Sequence, residues 1–388
     1  MCRRFVQTTG KERRMGVDEK ASCTVVTRTS GRSVCAQGSH PGLRGLLLDR
    51  CDGTRTLADV FGEMERALNR PLTAEEKASL YREVKRLAET GDVSLRYTVI
   101  VGENDIRACL ASLGIGKGDR IVVHSSLSRI GYVEGGPLAF CRVLMETVTQ
   151  DGTILMPTFN HARIFTEDGA GCYNPLETPS INGAVTETFR KLPGVVRSLQ
   201  PTHPLAGWGK DARQWLRNHH KVPTMGEGSP LHLLELAGGK AVLFGVPWAN
   251  TFHHVVEMTD YVPCIIQRGQ EYPVKLPDGR VVKCRSWTFR ERSCPISEKS
   301  VYLPEMRRRG LVRSATLGRA EVISFRLADC RTVLEEFLAG AHPGYAGCRT
   351  CPIRPGTDRW TVPDDWDRVN RRVRPDTTAF VGDYEPPV

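Results

Sequence analysis

No stretch of this chain is apolar for long enough to cross a bilayer. Its basic start, with Arg3, Arg4, Lys11, Arg13 and Arg14, has no apolar core of the kind a secretory signal carries. Membrane-spanning and secreted classes are therefore set aside, and a cytoplasmic protein with no membrane partner is expected. The 13 cysteines are scattered and odd in number, which favours free thiols over a disulfide framework. Zinc-finger spacing is absent, and so is any basic motif interleaved with aromatic residues. The net charge of +10 has no block behind it. Basic residues number 18 against 13 acidic ones in residues 1–99, 20 against 17 in 100–290, and 16 against 14 in 291–388. Clusters such as Arg307-Arg308-Arg309 and Arg371-Arg372 read as solvated faces, so nucleic acid is not an expected partner.

What is present is an ordinary globular composition, 40% hydrophobic and 25% charged over 388 residues, enough for one large or two modest domains. Four segments are expected: a polar stretch at 1–39, a small module at 40–98, a larger domain at 99–342 and a proline-rich wrapping tail at 343–388. In the module, Thr56 caps a helix whose apolar positions Leu57, Val60, Phe61, Met64 and Leu68 keep a 3.6-residue period. A second helix starts after Pro71-Leu72-Thr73 and is ended by Gly91. The run Leu48-Asp49-Arg50-Cys51-Asp52-Gly53-Thr54-Arg55-Thr56-Leu57, followed by a helix and then Leu87-Ala88-Glu89-Thr90-Gly91, resembles the winged-helix peptide-binding domain of the PqqD-like family. The resemblance implies a leader-peptide or enzyme partner for residues 40–98; the other reading is a helical extension that binds nothing.

From residue 100 strands alternate with helices. The pattern predicts helices at 105–113, 137–148, 182–192 and 230–236, and strands at 120–124, 153–156 and 241–246, the last feeding a helix from Asn250. Such alternation argues for a layered, mainly parallel α/β sheet. Pro277-Asp278-Gly279-Arg280 reads as a hairpin turn between strands.

Two corners of this domain suit an anionic nucleotide. Ser125, Ser126 and Ser128 end a strand, and Gly135 and Gly136 let backbone approach a ligand closely before the next helix. Ser229 with Pro230 supplies a second helix start. Acyl transfer to an amine needs a base, because an ammonium group cannot attack a thioester, and histidine suits neutral pH. His203 lies between Pro201 and Pro204, the latter pressing it toward extended geometry. On the helix after Pro247, His254 and Glu257 are three apart and share a face; they form either a base and its orienting carboxylate or a surface ion pair. Thr251 opens that helix and is placed to stabilise a thioester oxyanion.

These pieces occur in one order: Val123-His124-Ser125-Ser126-Leu127, Ile130-Gly131, Val133-Glu134-Gly135-Gly136, His203-Pro204, Gly226-Glu227-Gly228-Ser229-Pro230, Gly238-Gly239-Lys240-Ala241, then Thr251, His254 and Glu257. Over residues 104–265 they resemble the aminoglycoside 3-N-acetyltransferase superfamily, the antibiotic N-acetyltransferase fold. The GCN5-type coenzyme A signature is not apparent. The resemblance implies acetyl-coenzyme A or another acyl-coenzyme A as co-substrate, held by Ser125, Ser126, Leu127, Ser128, Val133, Gly135, Gly136 and Ser229. It implies His203 as general base assisted by Glu257, with Thr251 at the oxyanion and with His254 and Asn250 facing the acceptor.

The expected function is therefore an acyl-coenzyme A-dependent N-acyltransferase working by direct attack, with a small-molecule or peptide amine as acceptor in natural-product or peptide tailoring. The mildly basic catalytic segment speaks against a polycationic acceptor. Aminoglycoside acetylation conferring resistance is the alternative, and a non-catalytic peptide-binding scaffold is a third reading. A ping-pong route would use Cys141, Cys172 or Cys264, none beside a cue for a lowered pKa. No metal is expected. Cys348-Arg349-Thr350-Cys351 has zinc-like spacing, but would need two more ligands from Cys284, Cys294 or Cys330.

Overall fold

The computed structural model describes residues 24–28, 41–97, 99–160, 172–260, 262, 270–286, 294–297, 299–351, 380 and 382–387. They form two compact units. One comprises the chain up to Gly102 with Leu127–Gly136 and Gly318–Ala320; the other comprises Glu103–Ser126, Pro137–Leu317 and the chain from Glu321 onward.

In the first unit β1 (Thr24–Arg28) is the middle of a three-stranded antiparallel sheet, between β2 (Asp52–Thr56) and β3 (Val93–Tyr97). Three helices accompany it: α1 (Pro41–Leu48), α2 (Leu57–Leu68) and α3 (Ala74–Glu89). α2 starts where it does because Thr56 and Asp59 form a capping box, and α3 because Thr73 and Glu76 do the same. Leu57, Val60, Phe61 and Met64 face one apolar cluster with Leu80, Val84 and Leu87 of α3. The expected module boundary at residue 40 is corrected here, since Thr24–Arg28 supplies the central strand. Five residues mixing Thr, Val and Arg are too short and too polar to stand out as a strand in the sequence. The same unit holds β4 (Ile100–Val101). In chain order α4 (Glu103–Ser112) and β5 (Arg120–Ser125) then belong to the second unit, and the first resumes with α5 (Leu127–Ile130) and β6 (Tyr132–Val133), which pairs in parallel with β4. Gly131 joins α5 to β6 with φ of 133°, and a Cβ there would meet the Val99 carbonyl oxygen at 3.0 Å.

The second unit is built on a sheet of seven strands: β5, β7 (Thr153–Pro157), β8 (Val196–Arg197), β9 (Leu205–Gly209), β10 (Lys240–Phe244), β13 (Arg313–Leu317) and β14 (Ala320–Arg326). Their order across the sheet is β13-β14-β10-β5-β7-β9-β8. β10, β5 and β7 run parallel, and these are the near-continuous apolar runs that burial on both faces demands. β14 and β9 flank them antiparallel, and β8 pairs antiparallel with β9. The layered α/β expectation holds, with parallel pairing concentrated at the centre. The flanking antiparallel strands are not legible in the sequence: β8 is two residues long, β9 carries two glycines, and β13 is largely exposed.

One apolar layer gathers Val122, Leu155 and Leu243 of the sheet with helices α8 (Ala212–Leu216), α9 (Pro230–Leu236), α10 (His253–Thr259), α11 (Tyr302–Arg308) and α12 (Leu327–Ala339). Elsewhere in the unit α6 (Gly136–Val148) sets Phe140 edge-on against Phe244 at 4.9 Å, and α7 (Ala184–Phe189) lies between β7 and β8 in the chain. β11 (Gln270–Lys275) and β12 (Val281–Ser286) form the hairpin read from Pro277–Arg280. Residues near 384 also belong to this unit. Tyr384 is buried and its hydroxyl donates to the Arg197 carbonyl at 3.1 Å, His220 Nε2 donates to the Gly382 carbonyl at 3.0 Å, and Lys221 pairs with Asp383 at 2.7 Å. No described helix is long and apolar enough to cross a membrane.

Two buried histidines set the acid limit of this fold. His124 of β5 and His219, whose ring bonds Ser198 Oγ at 2.9 Å and the Thr224 carbonyl at 2.7 Å, are both held near pKa 4 by burial. The unfolded chain binds these protons at about 6.5 and the folded chain only near 4, so stability is complete above about pH 6.5 and is lost as pH falls toward 4. Each contributes on the order of 3 kcal/mol across that window. Tm measured by scanning calorimetry should be flat above about pH 7 and fall steeply between about pH 6.5 and 4.5. His124→Phe should flatten the fall; an unchanged slope would rule out His124 as a source.

Candidate active site

The direction of β9 fixes where the chemistry gathers. Because β9 runs against β7, its first residue Leu205 pairs with Pro157, the last of β7. His203, two residues earlier, therefore lies at the carboxyl ends of the parallel strands, where open α/β sheets bind ligands. β5 ends there at Ser125, and β10 leaves from the same edge toward α10. Buried polar atoms with no hydrogen-bond partner among the described residues include His124 Nε2, Ser125 Oγ and both amide atoms of Asn160, all at or just past this edge. Such atoms are costly unless a ligand completes them.

The loop carrying His203 is organised by one side chain, Gln200, which is fully buried. Its Oε1 accepts the backbone N–H of Thr202 at 2.8 Å and of His203 at 2.5 Å, and the Thr202 hydroxyl at 3.2 Å. Its Nε2 donates to Thr224 Oγ1 and Ser286 Oγ, each at 3.0 Å. Two backbone donors fix which end of the amide is oxygen. Ser286 accepts from Gln200 and also shares a hydrogen bond with the Thr202 hydroxyl. The Thr202 hydroxyl lies 3.2 Å from Gln200 Oε1 and 2.8 Å from His203 Nδ1, so it holds the ring through that nitrogen. A ring protonated at Nδ1 would leave Nε2 as the unprotonated nitrogen. That is the tautomer a general base needs. Phe159 meets the ring edge-on at 4.7 Å. Beneath the loop, the buried Arg197 guanidinium is held by the Thr158 hydroxyl and carbonyl and by the Thr178 and Pro175 carbonyls, and Thr158 in turn binds the Pro204 carbonyl through both its N–H and its hydroxyl. Burial presses the Arg197 pKa downward.

α10 holds a second network. Glu257 is fully buried; Ser297 donates to one carboxylate oxygen, and His254 Nδ1 lies 2.9 Å from the other. His253 and His254 approach each other through their Nε2 atoms at 3.2 Å. These three side chains are the one cluster of three metal-type ligands among the described residues, with ligand atoms within 4.8 Å of one another. In the structure the hydrogen-bond chain from Ser297 through Glu257 and His254 to His253 engages all three.

Several expected roles are placed differently. For the expected pair of His203 and Glu257, the described hydrogen bonds include Thr202 on His203 Nδ1, and His254 and Ser297 on Glu257. Asn250, expected to face the acceptor, is 2% exposed. It donates to the Tyr302 hydroxyl at 2.9 Å and accepts from the Phe252 N–H at 3.3 Å, so it braces the start of α10. Ser229 is fully buried, and its hydroxyl caps α9 by accepting from the His232 N–H. Thr251 is half-buried, with its carbonyl accepting from the His254 N–H at 3.1 Å. His254 remains partly exposed.

Of the expected nucleotide residues, Ser125 and Ser126 share the unit of His203. Leu127, Ser128, Val133, Gly135 and Gly136 belong to the first unit. There the Ser128 carbonyl accepts from Arg319 at 3.0 Å, Val133 pairs with Val101, and both glycines have left-handed backbone. Cys284 lies in a different apolar cluster from Cys294 and Cys330, so no described cysteine joins Cys348 and Cys351 in a group of three ligands. Burial pushes Cys141 up to about 12 and raises Cys172, the opposite of a ping-pong nucleophile; Cys264 lies outside the described residues. Gln200, Thr202, Ser286, Ser297 and Asn160 line these networks and this edge, and the sequence alone does not single them out. Only Thr202, beside His203, carries a local signal.

This geometry has known counterparts. The chain belongs to the aminoglycoside 3-N-acetyltransferase family, whose model matches residues 122–339, more than half of the chain. It is thereby an acyltransferase of the class that draws its acyl group from acetyl-coenzyme A. It is similar to the SPbeta prophage-derived aminoglycoside N(3')-acetyltransferase-like protein YokD of Bacillus subtilis (strain 168), 33% identical over 202 residues, 47% of this chain and 74% of that protein. It is also similar to aminoglycoside N(3)-acetyltransferase VIII of Streptomyces fradiae, 29% identical over 61% of this chain and 92% of that one. The solved structure of AAC-IIIb in a binary complex with CoASH matches with a TM-score of 0.56 at 24% identity, over 64% of this chain and 99% of that one. At that identity the likeness is one of fold.

The hold of Thr202 on the ring can be checked directly. Thr202→Val keeps the shape but removes the hydroxyl that holds Nδ1, and should lower kcat by about tenfold to a hundredfold in a thiol-release assay. Thr202→Ser should restore most of it; a fully active valine variant would show that the hydroxyl does not govern the ring.

Proposed function

We propose that this chain transfers the acetyl group of acetyl-coenzyme A directly to an amine, with His203 as general base. The observation that carries the reading is the chain Gln200–Thr202–His203, which holds the ring through Nδ1; with the ring proton on Nδ1, Nε2 can act as the base. The amine nitrogen attacks the thioester carbon as Nε2 takes its proton. The N–C bond forms, the C–S bond breaks, and the coenzyme A thiolate leaves, taking up the proton that the imidazolium returns. Attack develops negative charge on the thioester oxygen, and Thr251 at the entry to α10 suits that oxygen. The unpartnered Ser125 hydroxyl, with Ser126 beside it, suits the co-substrate's polar groups. The Glu257–His254 pair sits on the helix that begins just after Thr251 and keeps that turn in place. His203→Ala should lower turnover by about a hundredfold or more, while acetyl-coenzyme A affinity by calorimetry stays within a factor of two to three. A variant that keeps its activity would remove His203 as the base.

The acceptor is proposed to be an amine on a peptide or peptide-derived natural product, and the location cytoplasmic. The support is the first unit. The family match begins at residue 122, and 64% of this chain accounts for 99% of the AAC-IIIb chain, so the α1–α3 module stands outside the shared part. A PqqD-like module in that place would deliver a leader peptide. Resistance through aminoglycoside acetylation is the second reading, favoured by the activity that the relatives are named for. Thiol release measured across an aminoglycoside panel and a set of amine-bearing peptides separates the two. Efficient turnover of aminoglycosides, with none of peptides, would refute the peptide reading.

A further inference from the structure

Asn160 is the side chain at the strand edge with both its polar atoms buried and unpartnered among the described residues. It is fully buried, and neither Oδ1 nor Nδ2 has a hydrogen-bond partner among the described residues. Its surroundings are well held. Its own N–H reaches the Thr202 carbonyl at 3.5 Å, the Phe159 N–H is taken by Asn182 Oδ1 at 2.6 Å, and the Phe159 carbonyl accepts from the Ile181 N–H at 2.8 Å. Phe159 is the residue whose ring meets His203 edge-on. A buried carboxamide is thus carried on backbone that adjoins the His203 loop, with one donor group and one acceptor unused. For the empty fold this is a net cost, because each buried polar group has given up water without replacement.

We propose that Asn160 binds the acceptor, resting on the reading of His203 as base. Oδ1 accepts an N–H of the attacking amine, and Nδ2 donates to an oxygen neighbouring that amine. An amine that loses one proton to His203 still carries another N–H, and only an acceptor atom can hold it so that the nitrogen lone pair faces the thioester. Phosphates of the co-substrate need donors alone, which an amide offers on one end only. The ligand class that satisfies both ends is an amine flanked by a hydroxyl or carbonyl oxygen, as in amino alcohols and α-amino amides.

The test uses the full chain with Asn160→Ala and Asn160→Leu, and serinamide and butylamine as acceptors. The wild type should acetylate serinamide at least tenfold more efficiently than butylamine. Both variants should lose at least a hundredfold in kcat/KM for serinamide, keep acetyl-coenzyme A affinity within twofold, and at least one should melt at or above the wild-type Tm. A structural asparagine would instead lower Tm in both variants, and that result, undiminished turnover, or no preference for serinamide over butylamine would overturn the proposal. A wild-type protein that releases no thiol with either amine would sink the reading of the site itself, as would an active His203→Ala; a variant-insensitive enzyme sinks only the role of Asn160.

Discussion

A single buried carboxamide, that of Gln200, organises the loop that carries His203 at this sheet edge. Its oxygen gathers two backbone N–H groups and one hydroxyl, and its nitrogen reaches Thr224 and Ser286, segments that lie 24 and 86 residues further along the chain. Every hydrogen-bonding site on the amide is engaged, so neither a flip nor a shift of the loop is possible without leaving a buried donor or acceptor unmet. The placement of the His203 ring follows from that saturation, through the Thr202 hydroxyl on Nδ1 and the bond from the His203 N–H to Gln200. A hydroxyl partner orients the imidazole; a carboxylate would also have favoured its charged form.

The sheet supplies the position. Parallel pairing of β10, β5 and β7 collects three strand ends at one edge, and the reversal at β9 adds the start of a fourth. His203, half-buried Thr251 and Ser125 with its unpartnered hydroxyl therefore come from separated pieces of sequence. Glu257, by contrast, is bound into a chain of hydrogen bonds that reaches Ser297, which places it among the groups that hold α10.

Much of this is legible without the fold. The helix at 230–236, the hairpin about Asp278 and the capped helices after Thr56 and Thr73 obey local rules of capping, turns and periodicity, and the structure shows all of them. The strand-end serines and His203 are visible because their types suit a nucleotide and a base. What stays hidden depends on distance in sequence. Ser286 and Gln200 meet only because a hairpin folds back, and nothing within a few residues of either announces it. Asn250 misleads because a polar residue after a strand looks like a ligand contact, while the hydroxyl that engages it lies on Tyr302, 52 residues on. β1 escapes for a different reason. Thr and Val together carry little apolar excess, and only the pairing with two partners makes them a strand.

The hydrogen bond from Tyr384 to the Arg197 carbonyl joins residues 187 positions apart. Strand β8, of which Arg197 is part, emerges from the ribosome long before the segment that covers it. The Tyr173 ring, made before Arg197, lies against the guanidinium at 5.3 Å, so the late tyrosine adds the bond to the carbonyl. Translation must therefore run well past residue 339, where the family match ends, before this bond to strand β8 can form.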